Sequence, residues 1–544
     1  MSKEINPAVR LFGNRIYADQ TSLEFLHEFL LIASAPKTWH EDSDTFESSL
    51  PRYTALDECL VDGTRLRYAP RARLDLKLFS FLGASRLSSR DPAHLEHLDA
   101  LRDELEKKIV TEGDITVSDV LDSLRDLFLG LQGAGNGRTW CAQTFLPLSR
   151  RCLAGETIWN QSKTHNNLTW YDSLTSLSTY WSTNRHRFLA RGGEVFYLQL
   201  CLALSRSKGE VTSLIREAKL EFSTEEADPA QLHFKLEEGL TRLLNSSPQL
   251  DELAAFIENN DKNESAYKTD LERHFGIERP HFVSTEAYPE ACPKESWKIG
   301  YVFAVELSRI LALKLDPLEC IARLEMLFDL HILRHLTYLS AQRIKNEKLP
   351  LSLASNWLGY SFVTSPENCT IPRLRKLSEV SFRHTEQMIY TAVHSYLPED
   401  DDERKKFNES SKQRNEYFKE ADKSHGFAVF RKIGKSMGFI VPRKGSGERL
   451  VLTENILRTL VLTLVPAEHD ITYDQFKKEV YQHFGIAFDR DSIRLAMKET
   501  GNACDDPNYN VDAWVSTLLE QAAMLIPLSD SCSLVHNPVS LNMD

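Results

Sequence analysis

The chain has 544 residues, of which 42% are hydrophobic, 26% charged and 10% aromatic. This composition is typical of globular proteins and excludes a disordered chain, a collagen-like repeat and a disulfide-dense mini-protein. Lys and Arg number 65 against 78 Asp and Glu, a formal net charge of −13, so the chain as a whole is not a polyanion-coating protein. The nine cysteines form no C-x-x-C pair, which argues against a cysteine-rich zinc module.

The start of the sequence, MSKEINPAVRLFGNRIY, lacks the apolar segment of a secretory signal. No apolar run is long enough to span a membrane, and even NILRTLVLTLVPA is interrupted by Arg458. The odd number of scattered cysteines is typical of a reducing compartment. We therefore expect a cytoplasmic protein without a membrane segment.

Residues 1–90 are predicted to combine one helix with a basic segment. The stretch TSLEFLHEFLLIASA has apolar residues at i, i+3 and i+4, with Thr21 or Ser22 as N-cap and Pro36 after its end. The basic segment runs from Arg65 to Lys77 and follows a polar stretch.

Residues 91–398 are predicted to form a helical body without an internal repeat. Pro317 stands at an N1-like position of the last predicted helix, and Thr116 or Ser118 can cap the first of those listed below. Gly192 and Gly193 are predicted as a turn before the second. Apolar residues recur at helical spacing in TVSDVLDSLRDLFLGLQ, EVFYLQLCLAL, SLIREAKLEF, QLHFKLEEGLTRLL, KIGYVFAVELSRILALKL and PLECIARLEMLFDLHILRHLTYLSAQRI.

Residues 399–449 are predicted to be a charged connecting segment. The acidic run EDDDE is followed by residues 404–449, which hold 13 Lys or Arg against 5 Asp or Glu. This excess of +8 inside an acidic chain is the clearest charge asymmetry in the sequence. We expect a domain boundary in or near it.

Residues 450–544 are predicted to be a winged-helix-like module. The stretch GFIVPRKGSGERLVL can form two short strands around a glycine-rich turn that leads into it. Four helices follow, with Thr453, Thr472 and Asp489 as N-caps of the first three and Gly485 after the second. LIPLSDSCSLV then predicts a hairpin. The fold class is therefore mainly α, a multidomain helical body with a C-terminal winged-helix-like α+β module.

The third predicted helix of this module resembles a recognition helix. Its basic residues recur every four positions, while Ile493 and Met497 lie on the adjoining face, a division that a helix in the major groove requires. Three interpretations remain open: DNA contact, docking of a protein partner, and a solvated helix face. The candidate DNA- or partner-binding residues are Arg490, Arg494, Lys498, Arg431, Lys432, Lys435, Arg443 and Lys444.

An enzymatic alternative starts from RLDLKLFSF. Asp75 and Lys77 on an apolar, strand-like run, with Asp62 or Asp57 upstream, have the outline of a nuclease core in which carboxylates hold Mg²⁺. The pattern is short. The chain has no nucleophile elbow, no kinase signature and no intact phosphate loop, since Arg138 replaces the lysine in GAGNGRT. These observations favour a non-enzymatic role with no cofactor.

Two smaller clusters contain residue types that can bind an anion or a metal ion. Arg185, Arg187 and Arg191 are close in sequence and could bind an anion. His331 and His335 stand four residues apart on a predicted helix, but Ile332 occupies the acidic position of a metalloprotease motif. Buried histidines with hydrogen-bond partners are therefore favoured over metal ligands.

Three stretches together resemble a known group of proteins: NPAVRLFGNRIY, YWSTNRHRFLARGGEVFYLQLCLAL and GFIVPRKGSGERLVLTENILRTLVLTLVP. They are similar to the largely helical accessory proteins of bacterial anti-phage and restriction gene clusters, which are encoded beside motor and nuclease subunits. The resemblance implies a non-motor adaptor that helps to recognise double-stranded DNA or joins protein subunits of such an assembly. It carries over no catalytic residue.

Overall fold

The computed structural model describes separate stretches of the chain, and these form a mainly helical fold. The prediction of a mainly α-helical protein is confirmed, and the C-terminal part carries a small sheet. Among the described residues no helix has both the length and the apolar character needed to cross a bilayer. The described residues are 6–13, 16–18, 20–34, 37–38, 67–68, 113–130, 140–143, 155–159, 181–182, 192–246, 285–286, 292–349, 361–362, 372–398, 411–494, 511–529 and 532–540, with single positions at 103, 106, 110, 111, 404, 405 and 407.

The helices follow the predicted apolar periodicity in most of these blocks. A short 3₁₀ turn, Lys294–Ser296, leads into α7. The helices are α1 (Pro7–Phe12), α2 (Ser22–Ser34), α3 (Val117–Gly130), α4 (Gly192–Leu204), α5 (Lys208–Ala218), α6 (Pro229–Leu244), α7 (Trp297–Ala312), α8 (Pro317–Asn346), α9 (Pro372–His394), α10 (Ser411–Ser424), α11 (Gly426–Ser436), α12 (Glu454–Leu464), α13 (Tyr473–Phe484) and α14 (Ala513–Gln521).

The strands are short and pair in small sheets. The antiparallel sheets have the orders β1-β2-β6, β3-β4-β5 and β10-β13-β12, while β8 pairs with β9 and β7 runs parallel to β11. The strands are β1 (Lys37–Thr38), β2 (Arg67–Tyr68), β3 (Trp140–Gln143), β4 (Gly155–Trp159), β5 (Trp181–Ser182), β6 (Thr285–Glu286), β7 (Ser361–Phe362), β8 (Ile440–Val441), β9 (Arg449–Leu450), β10 (Asp470–Thr472), β11 (Ile486–Ala487), β12 (Leu525–Ser529) and β13 (Cys532–His536).

The helix ends are fixed by the residues predicted to fix them. Thr21 caps α2, because its hydroxyl accepts the amide of Glu24 at 3.3 Å while the Glu24 carboxylate accepts the amide of Thr21. Thr453 and Thr472 accept the amides at N3 of α12 and α13. Gly485 ends α13 in the left-handed region, at φ 65°. These local predictions are confirmed.

One large apolar core runs through most of the described helices, beside a small second cluster of Ala341, Ile344, Met388 and Ala392 between α8 and α9. Buried apolar side chains form one continuous cluster from Ala8 in α1 to Val535 in β13, with α4, α7 and α8 contributing its centre. Helix α12 packs against both α7 and α8. The predicted division at 449/450 falls between the two residues of β9. The described C-terminal elements therefore share their core with the helical body.

Helices α2 and α4 approach each other closely where α4 begins. A Cβ atom at Gly193 would lie 2.3 Å from the carbonyl oxygen of Phe25 and 2.6 Å from the amide nitrogen of Phe29. The Gly193 amide donates to the Glu28 carboxylate at 2.6 Å, which places negative charge at the N-terminus of α4. The prediction of a turn at Gly192 and Gly193 is wrong, because both residues lie inside the first turn of α4.

Replacing Gly193 with alanine is expected to destabilise the fold by about 3 kcal/mol, because the added methyl group collides with backbone that cannot rotate away. Gly209 in α5 provides the control, since a Cβ there meets nothing closer than 4.0 Å. Gly209→Ala is expected to be neutral or stabilising by up to about 1 kcal/mol. Urea unfolding followed by circular dichroism compares the two variants. Equal stability of both would contradict the close approach.

A hydrogen-bonded chain of polar side chains crosses this core. His335 Nε2 lies 2.6 Å from the carbonyl oxygen of Phe12, which can only accept, so Nε2 carries the proton. His335 Nδ1 then accepts the Gln199 amide at 3.2 Å, and the Gln199 oxygen accepts His331 Nε2. The six members of this buried polar chain are His335, Gln199, His331, Arg334, Glu306 and His483, and all are fully buried.

The other end of the buried polar chain is charged. Arg334 donates to His331 Nδ1 at 3.2 Å and to both oxygens of Glu306 at 2.9 and 2.5 Å. His483 Nδ1 donates to Glu306 at 3.1 Å, and the His483 carbonyl oxygen accepts from Arg334 at 3.1 Å. Burial raises the pKa of Glu306, but Arg334 and His483 outweigh it and lower the pKa below its ordinary value. The buried polar chain thus links α1, α4, α8, α7 and α13.

Candidate nucleic-acid interface

The basic residues of positions 411–449 fall on α10, α11 and the β8–β9 hairpin, while Arg404 and Lys405 precede α10 and Lys406 lies outside the described residues. Within this range, Glu448 in the hairpin binds two cations of α11: Arg431 Nη2 at 2.6 Å, and Lys435. Burial alone would raise the pKa of Glu448, but hydrogen bonds and charge from Lys435 and Arg431 lower it. Lys435 also donates to the carbonyl oxygen of Arg443 at 3.3 Å. The carboxylate therefore fixes α11 against the hairpin.

The turn of the hairpin presents two exposed cations. Arg443 and Lys444 are exposed, and within the part of the chain that the structure describes neither side chain forms an ion pair. Gly445 and Gly447 follow at φ 105° and 80°, a region that side chains disfavour. The glycines therefore shape a turn that holds both cations out into solvent.

Helix α9 extends this basic region. A Cβ atom at Gly447 would lie 3.7 Å from Arg375 Nη2, which places the start of α9 beside the turn. Burial and the charge of Glu448 raise the pKa of Glu386, against Arg431 and Arg383, so Glu386, one turn after Arg383 on α9, lies near α11 and the hairpin. Cations of three elements thus share one face. We call it the basic surface: Arg375, Lys376, Arg383, Arg431, Lys435, Arg443 and Lys444. Lys432, the next residue of α11, is half-buried and has an interaction partner of its own.

The exposed face of α9 was missed by sequence reasoning. Lys376, Arg383 and Tyr390 are exposed and lie seven residues apart, so they follow one line along the helix. Tyr390 stacks on His394, with ring centroids 4.0 Å apart. The sequence signal was the seven-residue spacing in a segment that opens with Pro372, a residue favoured at N1.

The predicted recognition helix is only partly described. Residues 490–494 are helical, Asp489 caps them by accepting the amides of Asp491 and Ser492, and Ile493 is buried while Arg490 and Arg494 are exposed. The predicted division into an inward and an outward face is therefore confirmed up to Arg494. Arg490 and Arg494 both have interaction partners. Lys498 lies outside the described residues.

The helix that directly precedes the C-terminal hairpin is not the predicted recognition helix. It is α14, whose sequence AWVSTLLEQ contains no Lys or Arg. Residues 450–544 hold 6 Lys or Arg against 14 Asp or Glu, a formal charge of −8. The adjacent strand β12 exposes Ile526 and Leu528. A net negative charge repels phosphate.

The other predicted sites fall on residues that the structure does not describe. These are the nuclease candidates Asp57, Asp62, Asp75 and Lys77 and the anion cluster Arg185, Arg187 and Arg191. The nuclease alternative and the anion cluster stay predictions.

His331 and His335 are described and have hydrogen-bond partners on both ring nitrogens. Burial lowers the pKa of His335 to about 4 and, with the charge of Arg334, lowers that of His331 well below its usual value. Among the described residues no group of three or more His, Cys, Asp and Glu side chains could hold a metal ion. The two histidines are therefore structural.

Comparison with known proteins gives no significant similarity. No family model matches the chain, and neither the curated proteins nor the solved structures contain a significant match. The function must therefore be argued from the residues of this chain.

Proposed function

We propose that the protein is a DNA-binding adaptor of a bacterial defence assembly, acting in the cytoplasm. The observation that carries the proposal is the basic surface, where cations of α9, α11 and the β8–β9 hairpin lie on one face. Outside residues 404–449 the chain holds 52 Lys or Arg against 73 Asp or Glu. A local positive surface on an anionic protein attracts a phosphate backbone and orients it.

The protein partner is assigned to the C-terminal module, which we propose is winged-helix-like. The order α12, β10, α13, β11, α14, β12, β13 and the antiparallel sheet β10-β13-β12 support this proposal, although β11 pairs with β7 of the helical body. Its negative charge and the exposed apolar side chains Ile526 and Leu528 favour a protein over DNA. The two functions are thereby separated: DNA binds the basic surface and a protein subunit binds the module.

Charge reversal of the hairpin turn tests the proposal. We expect Arg443→Glu with Lys444→Glu to weaken binding of a double-stranded oligonucleotide about tenfold or more, because two phosphate contacts become repulsive. The slope of the logarithm of the binding constant against the logarithm of salt concentration is expected to fall by about 2. Fluorescence anisotropy over a salt series measures both quantities on the full chain.

The matched control reverses two cations at the opposite end of α9. Lys345 and Lys348 are exposed at the end of α8, where Arg343 donates to the carbonyl oxygen of Ser395, just after α9. Arg375 lies in the first turn of α9, roughly 30 Å away at 1.5 Å per residue. Lys345→Glu with Lys348→Glu changes net charge equally and should leave affinity near wild type. Equal losses in both double variants would contradict the proposal.

A further inference from the structure

Tyr390 forms the outer end of a stack of three rings. It stacks on His394 at 4.0 Å with an interplanar angle of 12°, and His394 stacks on Phe418 at 4.5 Å and 14°. Tyr390 is nonetheless 47% exposed. One face of its ring packs on His394, and nearly half of the residue's surface remains accessible to solvent.

A carboxylate on α10 fixes the orientation of this platform. Asp422 accepts from His394 Nε2 at 3.1 Å and also accepts from the Tyr390 hydroxyl. Burial, that hydrogen bond and the charge of Asp422 all raise the pKa of Tyr390, which keeps the hydroxyl protonated as a donor. A ring held in this way loses little conformational entropy when a ligand stacks on it.

Cations and carboxylates alternate along the same face of α9, where Glu379 lies between Lys376 and Arg383, and Glu386 lies between Arg383 and Tyr390. Arg383 and Lys376 stand seven and fourteen residues before Tyr390 on the exposed face of α9, which is roughly 10 and 21 Å at 1.5 Å per residue. A partly exposed aromatic ring beside cations is the combination by which proteins bind single strands, since the ring stacks a base and the cations contact phosphates.

We propose that the exposed face of α9 binds single-stranded nucleic acid, with one base stacked on Tyr390 and the neighbouring backbone at Arg383 and Lys376. A single strand fits better than a duplex because duplex bases are already stacked on each other, whereas an unpaired base offers a free face. The inference rests on the proposed function, because Arg383 and Lys376 belong to the basic surface. It adds the nucleic-acid class and the stacking residue.

The test compares three probes on the full chain by fluorescence anisotropy: an oligothymidylate, an abasic oligonucleotide of equal length and a duplex. Tyr390→Ala is expected to weaken oligothymidylate binding about tenfold and to leave abasic and duplex binding near wild type. Tyr390→Phe keeps the ring and should bind nearly normally. Phe234→Ala is the control, since Phe234 is 67% exposed on α6 and its loss should change nothing.

The possible outcomes distinguish failure of the stacking inference from failure of the proposed function. An unchanged affinity of Tyr390→Ala for oligothymidylate, or an equal loss with the abasic probe, overturns the stacking inference alone if duplex binding still responds to reversal of Arg443 and Lys444. A wild-type chain that binds none of the probes overturns both proposals. The same loss measured with oligouridylate, alone or together with oligothymidylate, supports the inference and identifies the nucleic acid.

Discussion

Replacing Arg334 with methionine is expected to lower the free energy of unfolding by about 4 kcal/mol, the largest effect of any single change considered. The side chain is fully buried and donates to both oxygens of Glu306. Removal of one partner leaves the other charge buried without compensation, which costs far more than the pair itself contributes. Urea unfolding at neutral pH measures the loss.

Two further variants distinguish this cause from a simple packing defect. Replacing Arg334 with methionine and Glu306 with leucine together should cost less than the sum of the two single variants, because no unpaired charge remains. Arg375→Met removes an exposed ion pair with Glu379 and is expected to cost less than about 1 kcal/mol. Strict additivity in the first comparison would contradict the argument.

Two buried histidines are expected to lower stability as the pH falls from 7 to 5, while buried Asp329, whose pKa is raised well above its ordinary value by burial, opposes this loss. Burial lowers the pKa of His335 to about 4 and that of His331 well below its ordinary value. Below pH 6.5 the unfolded chain takes up a proton on each imidazole while the native state keeps both neutral. The stability that His335 contributes is therefore full above pH 6.5 and falls by about 2 kcal/mol between pH 7 and pH 5, and His331 acts in the same direction.

Substitution of the histidines by glutamine measures their share of this pH dependence. His335→Gln removes one titrating group and is expected to change the stability difference between pH 7 and pH 5 by about 2 kcal/mol in favour of the fold at pH 5, whatever its effect at pH 7. His469→Gln is the control, because that side chain lies on the surface. Denaturant unfolding at several pH values provides the data, and identical slopes in the two variants would contradict the argument.

These two predictions concern the same feature, the buried polar chain that joins distant parts of the sequence. His335 binds the carbonyl oxygen of Phe12 near the start of the chain, and Glu306 binds His483 in α13. Unpaired polar groups in a core are costly, so this chain of bonds forms only when all five helices are in register. It fixes the position of α13, and with it the elements that we propose bind a protein partner, relative to the helical body.

Part of the candidate site could be predicted from the sequence. The charge excess of residues 404–449 pointed to Arg431, Lys435, Arg443 and Lys444, and the structure places these residues together around the β8–β9 hairpin. Sequence reasoning gave equal attention to Arg490, because a charged face on an isolated helix does not reveal which surface it joins. The contribution of α9 depends on Arg375 and Gly447, residues that are far apart in the chain and adjacent in space.

Helix ends and buried helix faces could be predicted from short stretches of the sequence. Caps such as Thr21 and Thr453, the αL glycine Gly485 and the apolar periodicity of the helices act over three or four residues, so they can be read without knowing the fold. Which helices share a core and which cations share a surface follows from the tertiary packing. Those choices depend on burial and charge summed over residues distant in sequence, and no short pattern encodes that sum.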